Sequence, residues 1–352
     1  MREKIVGSFA FKLYTMKKIK QCIGIDVSKD YLDCCMGSSD SEEHQTFSKS
    51  RKFSNTEEGF RELLKWVNTQ KLTQEILFVM EATGVYYENL AYWLNNEDQK
   101  LCVLLANKVK YFAKSLNVKT KTDSKDAKLL SLLGLERKLD LWHMPSKALR
   151  EIKFLSREYR ENKAKLVLIK NQLHARNHSY GCPESTANRL KKQIILLETQ
   201  LLEVEAELRA QVMSDSVLYD KIARICTIPG VRFITAICIV AETNAFVLVE
   251  NAKQLVSYSG LDIQHNQSGL KEGKTKISKK GNSFIRNALY MPALSASKHN
   301  PNLKDFYNLL CERKPAKKIA VTAVARKLLI LIYILWKNDS EFNPQYEQQK
   351  VA

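Results

Sequence analysis

Four carboxylates in the N-terminal part of the chain have types and positions suited to divalent-metal chemistry. Asp26 lies in Gly24-Ile25-Asp26-Val27, between apolar neighbours. Glu81 closes the apolar run Ile76–Met80, just before Gly84. Asp123 and Asp126 stand three apart in Lys121-Thr122-Asp123-Ser124-Lys125-Asp126-Ala127, a spacing that puts both on one helix face. Mg2+ takes hard oxygen ligands, so carboxylates converging from several elements suit it. Two such ions about 3.5–4 Å apart can stabilise both the attacking and the leaving oxygen of a phosphodiester. Each acid alone has a plain reading, Asp123 as a helix cap and Glu81 as a solvated strand end. Together, at the ends of successive elements, they point to metal-assisted phosphodiester cleavage, with all four as metal ligands.

That chemistry needs a scaffold that brings the acids together. Apolar residues alternate at Ile23, Ile25 and Val27, which predicts a strand over Cys22–Val27. After the turn Ser28-Lys29-Asp30, a second strand is expected over Tyr31–Met36 and a third over Gln45–Phe53. A helix follows at Thr56–Asn68, with Asn55 as N-cap and Phe60, Leu63, Leu64 and Val67 on one face. Glu75–Met80 reads as a buried strand, Tyr86–Asn95 as a helix and Leu101–Leu105 as a strand. Helices close the region at Lys108–Asn117 and Ser124–Glu136. Three meander strands followed by helix–strand units is the order of an RNase H-like α/β domain, here over residues 18–145.

Residues 146–214 read differently. Leu190, Ile194, Leu197, Leu201, Val204 and Leu208 form a heptad seam, and Tyr159, Leu166, Ile169 and Leu173 form another. Tyr180-Gly181-Cys182-Pro183 breaks the chain between them. Two long helices are expected, as a hairpin, as an oligomerisation coiled coil, or as a spacer with no partner.

A third, mostly helical region spans 217–340. It opens on Ile228-Pro229-Gly230-Val231, similar to the first half of a helix-hairpin-helix, where backbone N–H groups hold a phosphate, although Arg232 replaces the second glycine. Phe233–Val240 reads as buried core. A polar, glycine-flanked segment then carries Lys271, Lys274, Lys276, Lys279, Lys280 and Arg286, a composition suited to a phosphate backbone. Helices are expected at about Ser283–Lys298 and Ala316–Trp336, and the basic segment Arg313–Lys318 is a further candidate phosphate contact.

The whole chain fits a nucleic-acid partner. Fifty-six lysines and arginines against 38 acids give a net charge of +18, which favours a polyanion. The 45% apolar content excludes a disordered chain. Eight cysteines contain no C-x-x-C pair, which argues against zinc and for reduced thiols in a cytoplasm. The run Ile5–Tyr14 lacks a small-residue cleavage site, and Met16 is an alternative start. Leu328–Trp336 is too short to span a bilayer, and no membrane role is expected.

The motifs Gly24-Ile25-Asp26-Val27-Ser28-Lys29, Glu81-Ala82-Thr83-Gly84-Val85-Tyr86 and Lys121 to Ala127 resemble those of the DEDD transposases of bacterial insertion sequences, the insertion-sequence one-ten family. The resemblance runs from about residue 20 to 340. It implies a RuvC-like N-terminal domain in which Asp26, Glu81, Asp123 and Asp126 bind Mg2+. It also implies that Ser268, before Gly269, attacks the DNA phosphate and forms a covalent 5′-phosphoserine. Ser278 is the competing nucleophile. Asp262-Ile263-Gln264 departs from the family's usual proline-and-arginine stretch, which touches the local DNA contacts more than the serine. A structured non-coding bridge RNA, pairing with donor and target DNA, is implied as partner, and a dimer or tetramer through the coiled coil is expected. The expected location is the bacterial cytoplasm, at the nucleoid.

Two rival functions remain open on sequence. A junction endonuclease would use the four acids and water alone. A non-catalytic nucleic-acid-binding coiled-coil protein would keep the basic surface without cleavage.

Overall fold

Alternation along the first strand sorts its side chains onto two faces. Ile23, Ile25 and Val27 of β1 (Lys20–Val27) join one buried cluster and Cys22 joins another. The computed structural model describes residues 20–345 without 74, 83, 118–121, 266, 269, 270, 274, 314 and 315, and the backbone alone of 268, 271 and 272. The Ile5–Tyr14 run, Met16, Lys121, Gly269 and Lys274 therefore lie outside the described residues. The chain divides into two compact units between Met144 and Pro145.

In the first unit, β1 pairs antiparallel with β2 (Tyr31–Ser39). The third strand is broken into β3 (Gln45–Phe47) and β4 (Arg51–Ser54), both antiparallel to β2. Ser48 makes the break: its N–H donates to the Met36 carbonyl at 2.8 Å and its Oγ accepts from Met36 N at 3.0 Å. After α1 (Glu57–Thr69), β5 (Ile76–Glu81) lies parallel to β1. After α2 (Glu88–Asn96), β6 (Lys100–Leu104) lies parallel to β5. The main path of the sheet is β3-β2-β1-β5-β6, with β4 also on β2. Then come α3 (Ala106–Ser115) and α4 (Asp123–Glu136). Phe60, Leu63, Val67, Leu90 and Leu94 of α1 and α2 bury against one sheet face. Val109, Phe112, Leu129, Leu130 and Leu133 of α3 and α4 bury against the other.

The cap of α1 differs from the expected one. Thr56 caps it, its hydroxyl accepting from Gly59 N. Asn55 instead donates its side-chain amide to the carbonyls of Ser28 at 2.9 Å and Tyr86 at 3.1 Å, tying the β1–β2 turn to the segment after β5.

The second unit is helical: α5 (Lys147–Asn177), α6 (Glu184–Met213), α7 (Ser216–Cys226), α8 (Phe233–Glu242) and α9 (Ala252–Ser259). Four two-residue strands follow: β7 (Ile263–Gln264), β8 (Gln267–Ser268), β9 (Lys271–Glu272) and β10 (Lys276–Ile277). The unit closes with α10 (Ser283–His299), α11 (Pro301–Arg313) and α12 (Lys317–Asn338). Helix α11 was not foreseen, and the Arg313–Lys318 segment straddles a break between two helices. The heptad seam of α6 packs inside the chain: Leu197 and Leu201 bury with Leu166 of α5, while Val204 and Leu208 enter the core shared with α7 to α10 and α12. By length and composition α12 could cross a membrane, yet Val324, Leu328, Leu329 and Ile332 are buried in that core, as expected of a core helix.

Candidate active site: a carboxylate row and a serine hairpin

Strand register places two of the four acids. β1 and β5 pair from Gln21–Ile76 to Ile25–Met80. One step on, Asp26, next to last in β1, and Glu81, last in β5, come side by side, about one strand spacing of 4.8 Å apart. Both share the face of Cys22 and Val79, which α4 covers.

The helix supplies the other two. A Cβ on Gly24 would lie 2.0 Å from the Ala127 carbonyl oxygen and 2.2 Å from the Ser131 nitrogen, so only glycine lets α4 rest on β1 here. Ser131 Oγ donates to the Cys22 carbonyl at 2.9 Å. Gly24 thus faces the helix turn from Ala127 to Ser131, and Cys22 the turn from Ser131 to Gly134. Two strand residues advance about 6.6 Å and four helix residues about 6 Å, so the first turn of α4 runs toward the Asp26 end of β1. Thr122 caps α4, its hydroxyl accepting from Lys125 N, and Asp123 and Asp126 occupy the first turn. That end of a helix favours negative charge. Asp26, Glu81 and Asp126 are half-buried and Asp123 is exposed.

The row of polar residues continues across the sheet. Asp33 on β2 lies directly opposite Asp26, and Lys52 on β4 lies directly opposite Asp33. Lys52 Nζ stands 3.4 Å from the Asp33 carboxylate. Among the described residues, a group whose potential ligand atoms lie within 4.8 Å of one another is Asp40, Glu42 and His44, on the turn at the opposite end of β1. It includes none of the four acids.

In the second unit, Ser268 and Lys271 pair on the backbone ladder of β8 and β9, on either side of a two-residue connection. The segment carrying this hairpin is pinched at its base. Lys279 N donates to the Gly260 carbonyl at 3.0 Å and Asn282 N to the Tyr258 carbonyl at 2.7 Å. Ser278 donates its hydroxyl to the Asp262 carboxylate, and Ser278 N donates to the Asp262 carbonyl at 2.9 Å. Arg286 donates to the carbonyls of Ser259 at 2.7 Å and Gly281 at 3.0 Å. Lys276, Lys279 and Lys280 are exposed.

Beneath the pinch lies a buried ion pair. Glu242 is fully buried and receives Arg157 Nε at 2.7 Å, Arg157 Nη2 at 3.0 Å and the Asn282 side-chain amide at 2.7 Å. The Tyr258 hydroxyl donates to the Glu242 carbonyl at 2.9 Å. Burial pushes the Glu242 carboxyl up, but the hydrogen bonds from Arg157 and Asn282 outweigh it and hold the group below its ordinary range.

Residues 23–176 match a DEDD-type family profile described as Transposase, and residues 222–308 match one described as Transposase IS116/IS110/IS902 family. The chain belongs to the IS110 family of transposases. It is 27% identical over 332 residues to the pilin gene-inverting protein of Moraxella bovis, covering 94% of this chain and 99% of that one. The pilin gene-inverting protein of Moraxella lacunata is 28% identical over 335 residues, with the same coverage. The transposase for insertion sequence element IS1111A of Coxiella burnetii is 30% identical over 158 residues, 42% of each chain.

In the transposase, both family matches overlie the elements just described, and a DEDD domain points to divalent-metal use. The donor set fits such a cation: carboxylate oxygens only, from two strands and a helix end, on one face. Several candidate contacts have structural duties. A Cβ on Gly230 would meet the α10 backbone at 2.8 Å from Ala296 N, so close packing accounts for this glycine. Arg286 braces the base of the hairpin segment. Glu242, Arg157, Asp33 and Lys52 escaped the sequence reading. An acid closing the apolar run of α8 was the available signal for Glu242, and an acid at alternating spacing on β2 was the signal for Asp33.

Proposed function

We propose that this transposase cuts and rejoins DNA to move an insertion sequence, with Mg2+ held by Asp26, Glu81, Asp123 and Asp126 and Ser268 as nucleophile. The observation that supports the reading is that α4 packs on Gly24, two residues before Asp26, while Glu81 ends the strand that pairs with β1. The strand order supports an RNase H-like, RuvC-like first domain over about 18–145, followed by the paired helices 146–214 and a C-terminal transposase domain over 217–340. When bound, the metal would offset charge on the phosphate oxygens. Ser268 Oγ bonds to phosphorus as the bond to the 3′ oxygen breaks. The serine proton is released and the 3′ oxygen takes one up. The exposed lysines at 276, 279 and 280, with Lys271 and Lys274, bind the DNA backbone.

The bridge RNA is part of this reading, supported by the net charge of +18 and the family. Base pairing would then choose the sites while the protein holds backbone and shape. The working form is a homo-oligomer in the bacterial cytoplasm. Because the α6 seam is used within the chain, protomers pair through the outer face bearing Ile195 and Leu202. The relatives named for pilin gene inversion favour a second outcome of the same chemistry, inversion of a segment between two sites.

The test is an SDS-resistant protein–DNA adduct, formed with element-end DNA, Mg2+ and the flanking transcript. Wild type should give it, and Ser268→Ala and Asp26→Ala should not. Cleavage without an adduct, indifferent to Ser268→Ala, would mean a junction endonuclease. Binding without any cleavage would mean the non-catalytic reading.

A further inference from the structure

The carboxylate row ends on a cation that neither the family motifs nor the proposed chemistry uses. Lys52 on β4 sits two strands from Asp26, about 10 Å by strand spacing, on the same face and at the same level. Its ammonium is not free to wander. Asp33, whose side chain is only 15% exposed, holds it at 3.4 Å. The Tyr31 ring lies 5.3 Å from Nζ, within cation–π range. Lys52 and Tyr31 are nevertheless open to solvent, 54% and 52% exposed.

A largely buried aspartate beside a carboxylate cluster adds negative charge where like charges already repel. Lys52 offsets that charge and presents a fixed positive site at the rim. A lysine ammonium acts on phosphate as a point charge. An aromatic ring beside it offers a stacking face that tolerates any base.

We propose that Lys52, set by Asp33 and flanked by Tyr31, seats the nucleic-acid strand entering the carboxylate site, with Lys52 on the phosphate next to the one cut and Tyr31 against its sugar or base. This deepens the reading of the four acids as the metal site and rests on it. Asp33 is a positioning residue in this scheme.

The test measures equilibrium binding of the full-length protein to labelled element-end DNA across a salt series, with Ca2+ replacing Mg2+. It adds the rate of adduct formation in Mg2+. Losing one phosphate contact should reduce the slope of log affinity against log salt by about 0.7–0.9. Lys52→Gln should show that drop and slow the adduct, while Lys52→Arg should restore both. Tyr31→Ala should weaken binding with the slope unchanged, and Tyr31→Phe should behave as wild type. An unchanged slope in Lys52→Gln would overturn the proposal. So would a rise in the Mg2+ concentration needed by Asp33→Asn, which would make Asp33 a metal ligand and Lys52 its neutraliser. Failure of the underlying reading looks different: wild type itself would form no adduct, while the salt slopes would still report on Lys52.

Discussion

Arg157 of α5 grips both carboxylate oxygens of Glu242 at the end of α8, at 2.7 and 3.0 Å, below the pinched base of the Ser268 segment. Asn282, which starts α10, donates to the same carboxylate. One buried charge thus joins the long helical hairpin to the segment that carries the candidate nucleophile.

Breaking this pair should be costly, because a buried charge is left without its partner. Arg157→Ala is expected to destabilise the second unit by about 3–5 kcal/mol. Urea unfolding followed by Trp336 fluorescence would report it, with Trp66, Trp93 and Trp142 changed to Phe.

The same pair sets a pH dependence. The Glu242 carboxyl is lowered on folding, so its contribution is complete above its unfolded value near 4.5 and is lost as pH falls through the folded value. Wild type should exceed Glu242→Gln in stability most at neutral pH. The gap should narrow on acidification below about 4.5, and a gap independent of pH would contradict this account.

Gly24→Ala should shift α4 off β1, since the added methyl would lie 2.0 Å from a backbone oxygen. Overpacking of this kind costs about 1–3 kcal/mol or more. The expected result is a lower melting temperature together with weaker metal-dependent protection from unfolding.

Metal binding can be read without catalysis. A ligand that binds only the folded state raises its stability. Mg2+ should raise the melting temperature of wild type and of Asp40→Asn, and leave Asp26→Asn and Asp126→Asn unmoved. Equal shifts in all four would place the cation elsewhere, with the turn at Asp40, Glu42 and His44 excluded by its own variant.

The two sides of α6 should separate folding from assembly. Leu201 is buried against α5, so Leu201→Ala should cost about 2–5 kcal/mol. Leu202 is 72% exposed, so Leu202→Asp should leave the fold intact and lower the oligomeric state, as light scattering would show.

Much of the first unit was legible in sequence because its signals are local. Strand alternation at Ile23, Ile25 and Val27 and the apolar run before Glu81 announced buried strands, and Asp123 with Asp126 announced a helix start. The failures share a cause. Asn55 was read as a cap because its type suits one, but Thr56 lay a residue closer to the helix and Asn55 found partners 27 and 31 residues away. The heptad seam of α6 gave the right face and left a hairpin with α5 and an oligomer both open, since periodicity says only that a face is covered. Lys52, Asp33 and the Arg157–Glu242 pair depend on which strands and helices become neighbours, and no spacing along the chain encodes that. Ser268 carried no local signal at all and entered through the family motifs alone.

The resting of α4 on Gly24 also has a consequence in time. Asp26 is made early and Asp126 a hundred residues later, on the last helix of its unit. Domains fold as units during synthesis, and contacts this distant in sequence form late. A nascent chain, or a copy truncated before α4, carries the strand acids and many of the lysines but lacks half of the acid set. If the four acids are the metal site proposed above, such a chain would bind nucleic acid without cutting it. On the proposed reading, competence to cut DNA would thus be withheld until the unit is complete.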